Sequence, residues 1–182
     1  MVLQAVSKRL RRSQVDDGDP LRANKTVPEG LSIRRSTIKG AQYGVFTLKP
    51  LPKRVYFGPY EGVKMEDNGE RNGYIWEVRK DGKMFLIDGR PLDRSNWMRY
   101  VNCAASPQEA NLVAFTRYGN IYYRTRNAVG AGEELFLWYG EAFARELGLL
   151  GKPRGSGPSA RGEGLVLSRQ GRAVAIGWGD LI

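Results

Sequence analysis

Short runs of apolar and aromatic residues recur through the middle of the chain, separated by glycine, proline, asparagine or aspartate at intervals of about ten residues. Runs of this length with turn residues between them are typical of strands in a mostly β fold. They lie between residues 27 and 147 and read LSIRR, YGVFTL, RVYFGPY, YIWEV, MFLIDG, NLVAF, NIYYRTR and ELFLWY. The pattern predicts one mostly β domain with short helices.

Two kinds of local signal refine this prediction. The runs NLVAFTR and NIYYRTR flank Tyr118-Gly119-Asn120, where glycine and asparagine tolerate positive φ, so a β-hairpin is expected there. Ser95 is a candidate N-cap for a short helix over NWMRYV. The segment GEAFARELG predicts a second helix that ends at Gly148.

Both ends of the chain differ in composition from this middle part. Residues 1–26 mix basic and acidic side chains with few apolar ones and predict a flexible basic arm. Residues 148–182 contain GKPRGSGPSARGEG and predict a disordered Gly/Arg-rich tail. The final stretch, GLVLSRQGRAVAIGWGDLI, regains apolar residues without a sustained period of 2 or 3.6, so a packed element there is the less favoured alternative.

Charge and cysteine content narrow the classes of function. The 182 residues hold 29 Lys and Arg against 19 Asp and Glu, a net charge of +10 that favours polyanionic surroundings such as chromatin, nucleic acid or an anionic membrane surface. Cys103 is the one cysteine and there is no histidine, which excludes a disulfide framework, a Cys/His zinc site and a His-dependent triad. No apolar run reaches the length of a membrane span, and the charged start MVLQAVSKRLRR does not resemble a secretory signal.

Tyrosine is the residue type with the clearest functional potential. All nine tyrosines lie in the middle part of the chain: Tyr43, Tyr56, Tyr60, Tyr74, Tyr100, Tyr118, Tyr122, Tyr123 and Tyr139. Any single one has an ordinary role as a strand residue with a buried ring and a hydrogen-bonded hydroxyl. Together they are also compatible with an aromatic pocket around a cation or a long alkyl-ammonium side chain.

Seven motifs occur in the order and spacing of a known family. They are GAQYGVF (40–46), FGPYEG (57–62), NGYIW (72–76), NWMRYVNCA (96–104), QEANLVAF (108–115), IYYRTR (121–126) and EELFLWYGEAF (133–143). Over residues 27–147 the chain resembles a PR domain, the SET-related methyltransferase domain of the PRDM zinc-finger proteins, and is most similar to the meiotic member that marks recombination hotspots and to its near paralogue. The resemblance implies a SET-like fold of several small curved sheets with a pseudo-knot near the C-terminal motif.

The same resemblance implies the residues of an active site. Catalytic hydroxyls would come from Tyr139, Tyr123 and Tyr60. Contacts to S-adenosylmethionine would come from Ala41, Gln42, Tyr43, Tyr74, Asn102 and Cys103. A substrate peptide would add a strand beside residues 71–77, in contact with Arg71, Asn72, Gly73, Tyr74, Ile75, Trp76, Glu77 and Tyr139.

Several of these residues also have simpler interpretations. Glu61, Glu66, Asp67 and Glu70 form an acidic cluster that could attract a basic peptide or could be a solvated loop. Taken alone, Asn102 would be a turn residue and Cys103 a small buried apolar side chain.

The implied function is histone-lysine N-methyltransferase activity on the histone H3 tail, with position 4 favoured and position 36 as the second choice. The expected partner is the H3 tail or the nucleosome, and the expected location is the nucleus, with roles in chromatin and transcription regulation and in meiosis. A histidine base is not required, because desolvation and a nearby positive charge both favour the neutral form of the lysine amine.

Two alternatives remain at this point. One is a catalytically inactive PR module that binds chromatin or regulatory proteins. The other is a basic nucleic-acid binder that uses the arm, in which KRLRR is also a candidate nuclear localisation patch, and the tail. One cysteine and no histidine cannot form a zinc knuckle or a zinc-finger array, so neither a metal site nor sequence-specific DNA binding is expected. Because no apolar run is long enough to span a membrane, no membrane partner is expected either.

Overall fold

Most of the apolar runs form short strands. The computed structural model describes residues 15–67 and 73–138 and the backbone of residues 173–174. Eleven strands are described: β1 Leu31–Arg35, β2 Tyr43–Thr47, β3 Tyr56–Phe57, β4 Val63–Met65, β5 Ile75–Lys80, β6 Lys83–Asp88, β7 Asn102–Cys103, β8 Leu112–Arg117, β9 Asn120–Thr125, β10 Phe136–Leu137 and β11 Ala173–Val174. One α-helix, α1 Arg22–Lys25, and one 3-10 helix, Trp97–Tyr100, accompany them in this part of the chain.

The strands form three small sheets. β1 and β2 pair antiparallel, β3, β9, β8, β10 and β7 make a five-stranded sheet in that order, and β11, β5, β6 and β4 make a four-stranded sheet. In the five-stranded sheet β10 runs parallel to both β7 and β8, whereas the other pairs are antiparallel. The predicted fold class, mostly β with several small sheets, is confirmed.

The predicted hairpin is present as β8 and β9, with Arg117 opposite Asn120. Its two turn residues are Tyr118 (φ 51°) and Gly119 (φ 69°), the pattern of a type I′ turn. Asn120 was expected in the turn but begins β9 instead, and its side-chain amide donates to the carbonyl oxygen of Tyr118 at 3.1 Å. The hairpin prediction is therefore confirmed with the turn displaced by one residue.

The helix expected at NWMRYV is a single 3-10 turn. Its N-cap is Asn96, whose side-chain oxygen accepts a 3.3 Å hydrogen bond from the backbone N–H of Met98, so the prediction of Ser95 as the cap was wrong by one position. The helix predicted over GEAFARELG lies outside the described residues.

The described part of the N-terminal segment packs against the domain, although its composition predicts a flexible arm through residue 26. Ala23 is fully buried and Arg22 and Thr26 are nearly so. The backbone N–H of Gly18 donates to Asp93 O at 3.0 Å. Local burial and hydrogen bonding outweigh the polar composition here, and packing starts before residue 27. Residues 1–14 lie outside the described part.

The tail contributes one described element. Residues 173–174 form β11 within the apolar final stretch, parallel to β5. The rest of the predicted tail lies outside the described residues. Within the described part of the chain, no helix has the length and apolar character needed to cross a membrane.

The core draws its side chains from all three sheets and from the 3-10 helix. Its buried side chains come from every major strand and include Val45, Phe57, Tyr60, Trp76, Val78, Ile87, Trp97, Met98, Leu112, Ile121, Tyr123, Leu135 and Leu137. Two of the tyrosines singled out from the sequence, Tyr60 and Tyr123, therefore belong to this core.

Candidate active site

Three buried aromatic rings form the centre of the candidate site. The ring centroid of Tyr123 lies 5.9 Å from that of Trp76 and 6.3 Å from that of Tyr60, and Tyr60 and Trp76 are 6.2 Å apart. Tyr123 is in β9, which lies between β3 and β8; it is opposite Phe57 of β3 and Ala114 of β8, and its side chain is fully buried. Tyr60, Trp76 and Tyr123 therefore lie together, and we call them the aromatic cluster.

The hydroxyl of Tyr60 is held in place by the backbone. It donates a 2.9 Å hydrogen bond to the carbonyl oxygen of Tyr74. Burial raises the pKa of Tyr60 well above its usual value, an effect that Asp88 reinforces and Arg99 opposes. A side chain at Gly89 would collide with this hydroxyl, so glycine is required there. Tyr60 thus presents a neutral, fixed phenol near neutral pH.

The loop that carries Tyr60 is fixed from two sides. On one side, Asn96 Nδ2 donates to Pro59 O at 2.8 Å. On the other side, Arg22 pairs with Glu61 at 2.7 Å and also donates to Ser95 O at 2.8 Å. Because the Glu61 carboxylate faces Arg22 inside the protein, it does not contribute to an acidic surface.

Only part of the predicted acidic cluster is on the surface of the described structure. Glu66 and Asp67 are exposed beyond β4, whereas Glu61 is half-buried. Glu70 lies outside the described residues. The cluster expected from the sequence is therefore reduced to two adjacent carboxylates where the structure describes it.

Two of the predicted cofactor tyrosines lie on one exposed face. Tyr43 is 53% exposed and Tyr74 is 37% exposed. The guanidinium of Arg99 lies 4.4 Å from the ring centroid of Tyr74 and 4.8 Å from that of Tyr100. The ring of Tyr100 in turn contacts Tyr43 edge-on at 5.9 Å. We call these four residues the tyrosine–arginine stack.

A buried carboxylate, that of Glu134, holds other residues that were predicted to contact the cofactor. Asn102 Nδ2 donates to Tyr43 O at 2.8 Å and lies 3.2 Å from Glu134 Oε1. Glu134 also accepts hydrogen bonds from Ser36 Oγ (2.7 Å), from the backbone N–H of Thr37 (2.8 Å) and from Thr37 Oγ1 (2.7 Å). Residues 36–43 and the Asn102 side chain are therefore held by a single carboxylate.

The remaining predicted cofactor residues have different exposures. Ala41 and Gln42 lie at the exposed turn between β1 and β2, beside Gly40, whose φ is +92°. Such a turn presents backbone groups to a ligand. Cys103 is buried in β7 opposite Leu137 of β10, next to Asn102 in the same strand, so its thiol belongs to the core.

The edge expected to receive a peptide already carries a strand. β11 pairs parallel with β5, with Ala173 opposite Trp76 and Val174 opposite Glu77. Ile75, Trp76 and Glu77 are buried, whereas Gly73 and Tyr74 are exposed. Arg71, Asn72 and Tyr139 lie outside the described residues, and so the predicted third hydroxyl and part of the predicted peptide edge have no described position.

Four residues of this arrangement were not selected from the sequence: Arg22, Asn96, Arg99 and Glu134. Arg99 and Asn96 lie within NWMRYVNCA, and Glu134 lies within EELFLWYGEAF, so both motifs already contained the signal. A charged residue inside an otherwise apolar motif indicates a partner in the fold. Arg22 had no comparable signal, because it lies outside all seven motifs.

The exposed face fits a methyl donor of the S-adenosylmethionine type. It combines aromatic surface on Tyr43 and Tyr74, backbone groups of the residue 40–43 turn, and the Asn102 amide, which are groups suited to an adenine, an amino acid moiety and a sulfonium. The aromatic cluster is connected to this face by one hydrogen bond, since the Tyr74 carbonyl that accepts from Tyr60 belongs to the same residue as the exposed ring.

Comparison with known proteins shows that this chain is similar to PR-domain proteins. A family model described as the PR domain of PR domain zinc finger protein 2 matches residues 31–150. The human protein named histone-lysine N-methyltransferase PRDM7 is 41% identical over 143 residues, 77% of this chain and 29% of its own length. The Caenorhabditis elegans protein named histone-lysine N-methyltransferase set-17 is 33% identical over 126 residues, 68% of this chain and 46% of its own length.

A solved structure, the methyltransferase domain of human PR domain-containing protein 2, superposes with a TM-score of 0.61 at 30% identity. The match covers 76% of this chain and 95% of that structure. The chain spans less than half the length of the two sequence relatives, so the similarity concerns one domain of each.

Proposed function

This chain belongs to the PR-domain family, and we propose that it is an S-adenosylmethionine-dependent lysine methyltransferase acting on the tail of histone H3, with lysine 4 favoured over lysine 36. The observation that carries the proposal is the position of Tyr60. Its neutral hydroxyl lies in the aromatic cluster and is bonded to the backbone of Tyr74, whose ring is on the exposed face. That arrangement joins a cofactor face to a buried aromatic interior.

The cofactor side depends on the tyrosine–arginine stack and on Glu134. When bound, S-adenosylmethionine supplies an electrophilic methyl group on a positively charged sulfur. Tyr43 and Tyr74 offer aromatic surface, and the residue 40–43 turn and Asn102 offer polar groups. Glu134 keeps the turn and the amide in register before any ligand arrives, which reduces the ordering cost of binding.

The lysine side depends on neutral aromatic groups. A lysine ammonium has an ordinary pKa near 10.4 and must lose its proton before it can act as a nucleophile. Burial among Tyr60, Trp76 and Tyr123 would disfavour the charged form, and the neutral phenol of Tyr60 supplies no negative charge to stabilise it. Tyr60, Tyr123 and Tyr139 are the proposed catalytic residues, and they act by orienting the amine.

The peptide is proposed to lie along β5 by strand addition, in contact with residues 71–77. In this structure β11 takes that edge at Trp76 and Glu77, so a histone peptide has to displace it. The +10 charge of the chain and its membership in the family support a nuclear, chromatin-associated protein, and a role in transcription regulation or meiosis belongs to the same proposal.

The occupied edge also favours the second candidate, a PR module without activity that binds chromatin or regulatory proteins. The two candidates differ in methyl transfer. Both candidates are compatible with an intact cofactor site, since an inactive PR module can retain one.

The deciding experiment is transfer of labelled methyl groups to recombinant H3 and to an H3 tail peptide, with Tyr60→Phe and Tyr139→Phe as variants. Each removes one hydroxyl and little volume. Tyr118→Phe is the matched control, because Tyr118 is 79% exposed at the hairpin turn. Activity in wild type and control that falls in both variants supports the enzyme. Cofactor binding without transfer in the wild type supports the silent module instead.

A further inference from the structure

We propose that Arg99 is a positioning residue that locks the cofactor face to the Tyr60 hydroxyl. The inference rests on the proposed function, because it concerns the same site. The contacts of Arg99 are with Tyr74, Tyr100 and the carbonyl oxygen of Gly89, so we assign it a role that acts through Tyr74.

Arg99 connects two predicted cofactor tyrosines that are far apart in the sequence. Its guanidinium is 4.4 Å from the ring centroid of Tyr74 and 4.8 Å from that of Tyr100, and Tyr100 contacts Tyr43. The guanidinium of Arg99 thus contacts two aromatic rings at once. Both Tyr43 and Tyr74 are substantially exposed, so the contact of Arg99 with Tyr74, and its contact with Tyr43 through Tyr100, restrict the motion of these rings.

Arg99 also reaches the backbone that holds Tyr60. Its Nε donates to Gly89 O at 2.8 Å, the N–H of Gly89 donates to Tyr74 O at 3.1 Å, and the Tyr60 hydroxyl donates to the same Tyr74 oxygen. Three consecutive hydrogen bonds therefore run from Arg99 to Tyr60. A shift of the Arg99 side chain moves both the Tyr74 ring and the acceptor of the Tyr60 hydroxyl.

Lysine cannot reproduce this arrangement. A guanidinium is planar and can stack on a ring while its Nε–H donates in the plane, whereas an ammonium is a compact, strongly hydrated charge without an Nε–H. The proposal therefore predicts that a positive charge at position 99 is not sufficient to hold the cofactor face and Tyr60 in place.

The chain offers a matched control on its surface. Arg117 lies 5.1 Å from the ring centroid of Tyr118 at the hairpin turn, and both residues are exposed. Arg117→Met removes one guanidinium–ring contact outside the site, with the same change of side chain as Arg99→Met. Arg99→Lys is the second variant and separates charge from geometry.

The experiment measures the dissociation constant of S-adenosylhomocysteine by calorimetry, together with kcat and KM for methyl transfer, on samples shown to be folded by circular dichroism. For Arg99→Met we expect a Kd about tenfold higher, a free-energy loss of about 1.4 kcal/mol, and a kcat lowered at saturating cofactor. Arg99→Lys should recover less than half of the loss, and Arg117→Met should match the wild type.

Folded Arg99→Met with wild-type Kd and kcat overturns the proposal, and so does full recovery by Arg99→Lys. A lowered melting temperature with unchanged Kd and kcat assigns a merely structural role and also overturns it. If the wild type neither binds nor transfers, the proposed function fails. In that event the Arg99 contact is still tested by a double-mutant cycle in unfolding, where Arg99→Met and Tyr74→Leu must be non-additive.

Discussion

Tyr60 and Tyr74 are joined by a 2.9 Å hydrogen bond in which the buried phenol donates to the backbone carbonyl. The same carbonyl also accepts from the N–H of Gly89, so removal of the phenol leaves it partnered. Tyr60→Phe should therefore cost only about 1 kcal/mol of unfolding free energy while lowering methyl transfer at least tenfold. Urea unfolding and a turnover assay measure the two effects. Parallel losses of stability and activity would contradict this separation.

The raised pKa of Tyr60 predicts a loss of stability in alkali. The unfolded phenol ionises near pH 10, whereas the folded one stays protonated to higher pH because burial disfavours its charge. The folded state then binds more protons than the unfolded state, so stability is complete below pH 10 and falls as pH rises from there toward the folded pKa, by up to about 1.4 kcal/mol per pH unit.

Tyr60→Phe cannot ionise and should lack this component. The measurement is the difference in unfolding free energy between wild type and variant from pH 8 to pH 11. A difference that stays constant above pH 10 would show that Tyr60 titrates normally in the folded protein.

Replacement of Glu134 tests the carboxylate that holds the residue 36–43 segment. In Glu134→Gln one acceptor oxygen becomes a donor, and although hydroxyls can reverse their hydrogen bonds, the backbone N–H of Thr37 and the amide of Asn102 cannot. We expect a loss of about 1–3 kcal/mol in stability and weaker S-adenosylhomocysteine binding.

The control for that variant is the adjacent carboxylate. Glu133 is exposed, and Glu133→Gln should change stability by less than about 0.5 kcal/mol. Equal effects of the two substitutions in calorimetry and thermal melts would mean that net charge, rather than the Glu134 hydrogen bonds, stabilises the segment.

A methyl group at Gly89 should disturb the aromatic cluster. Its carbon would collide with the Tyr60 hydroxyl and lie 2.8 Å from Tyr60 Cζ, so Gly89→Ala is expected to cost about 1–3 kcal/mol. Gly73→Ala is the stability control, since nothing lies within 4 Å of a Cβ there. Addition of Tyr60→Phe should recover part of the loss in thermal melts, and a strictly additive double variant would exclude the proposed collision.

Removal of residues 165–182 should lower the KM for the histone peptide. β11 occupies the β5 edge at Trp76 and Glu77, where the histone peptide is proposed to bind. Deletion of an intramolecular competitor is expected to lower the peptide KM about threefold or more, with kcat little changed. Ala173→Pro should act in the same direction, because proline lacks the N–H needed for strand pairing. An unchanged or higher KM in both variants would place the peptide elsewhere.

Alternating apolar runs and turn residues were sufficient to predict the fold class and the β8–β9 hairpin, since both depend on local pattern. The pairing of Tyr60 with Tyr123 required the resemblance, because those residues meet only through the β3–β9 register. Arg22 escaped prediction because a buried ion pair has no periodicity of its own. Asn96 displaced Ser95 as the cap by one position, a difference that composition cannot resolve.

The Arg22–Glu61 pair has a consequence for how this domain is delimited. The family match begins at residue 31, yet the cation that faces the Glu61 carboxylate comes from residue 22. A fragment cut at the start of the match would remove the guanidinium that this half-buried carboxylate faces, and loss of one partner of a sheltered ion pair destabilises the folded state. The smallest autonomous folding unit is therefore longer than the stretch by which the family is recognised, and shortened versions for crystallisation or ligand screening should begin upstream of Asp17, whose carboxylate also contacts Arg22.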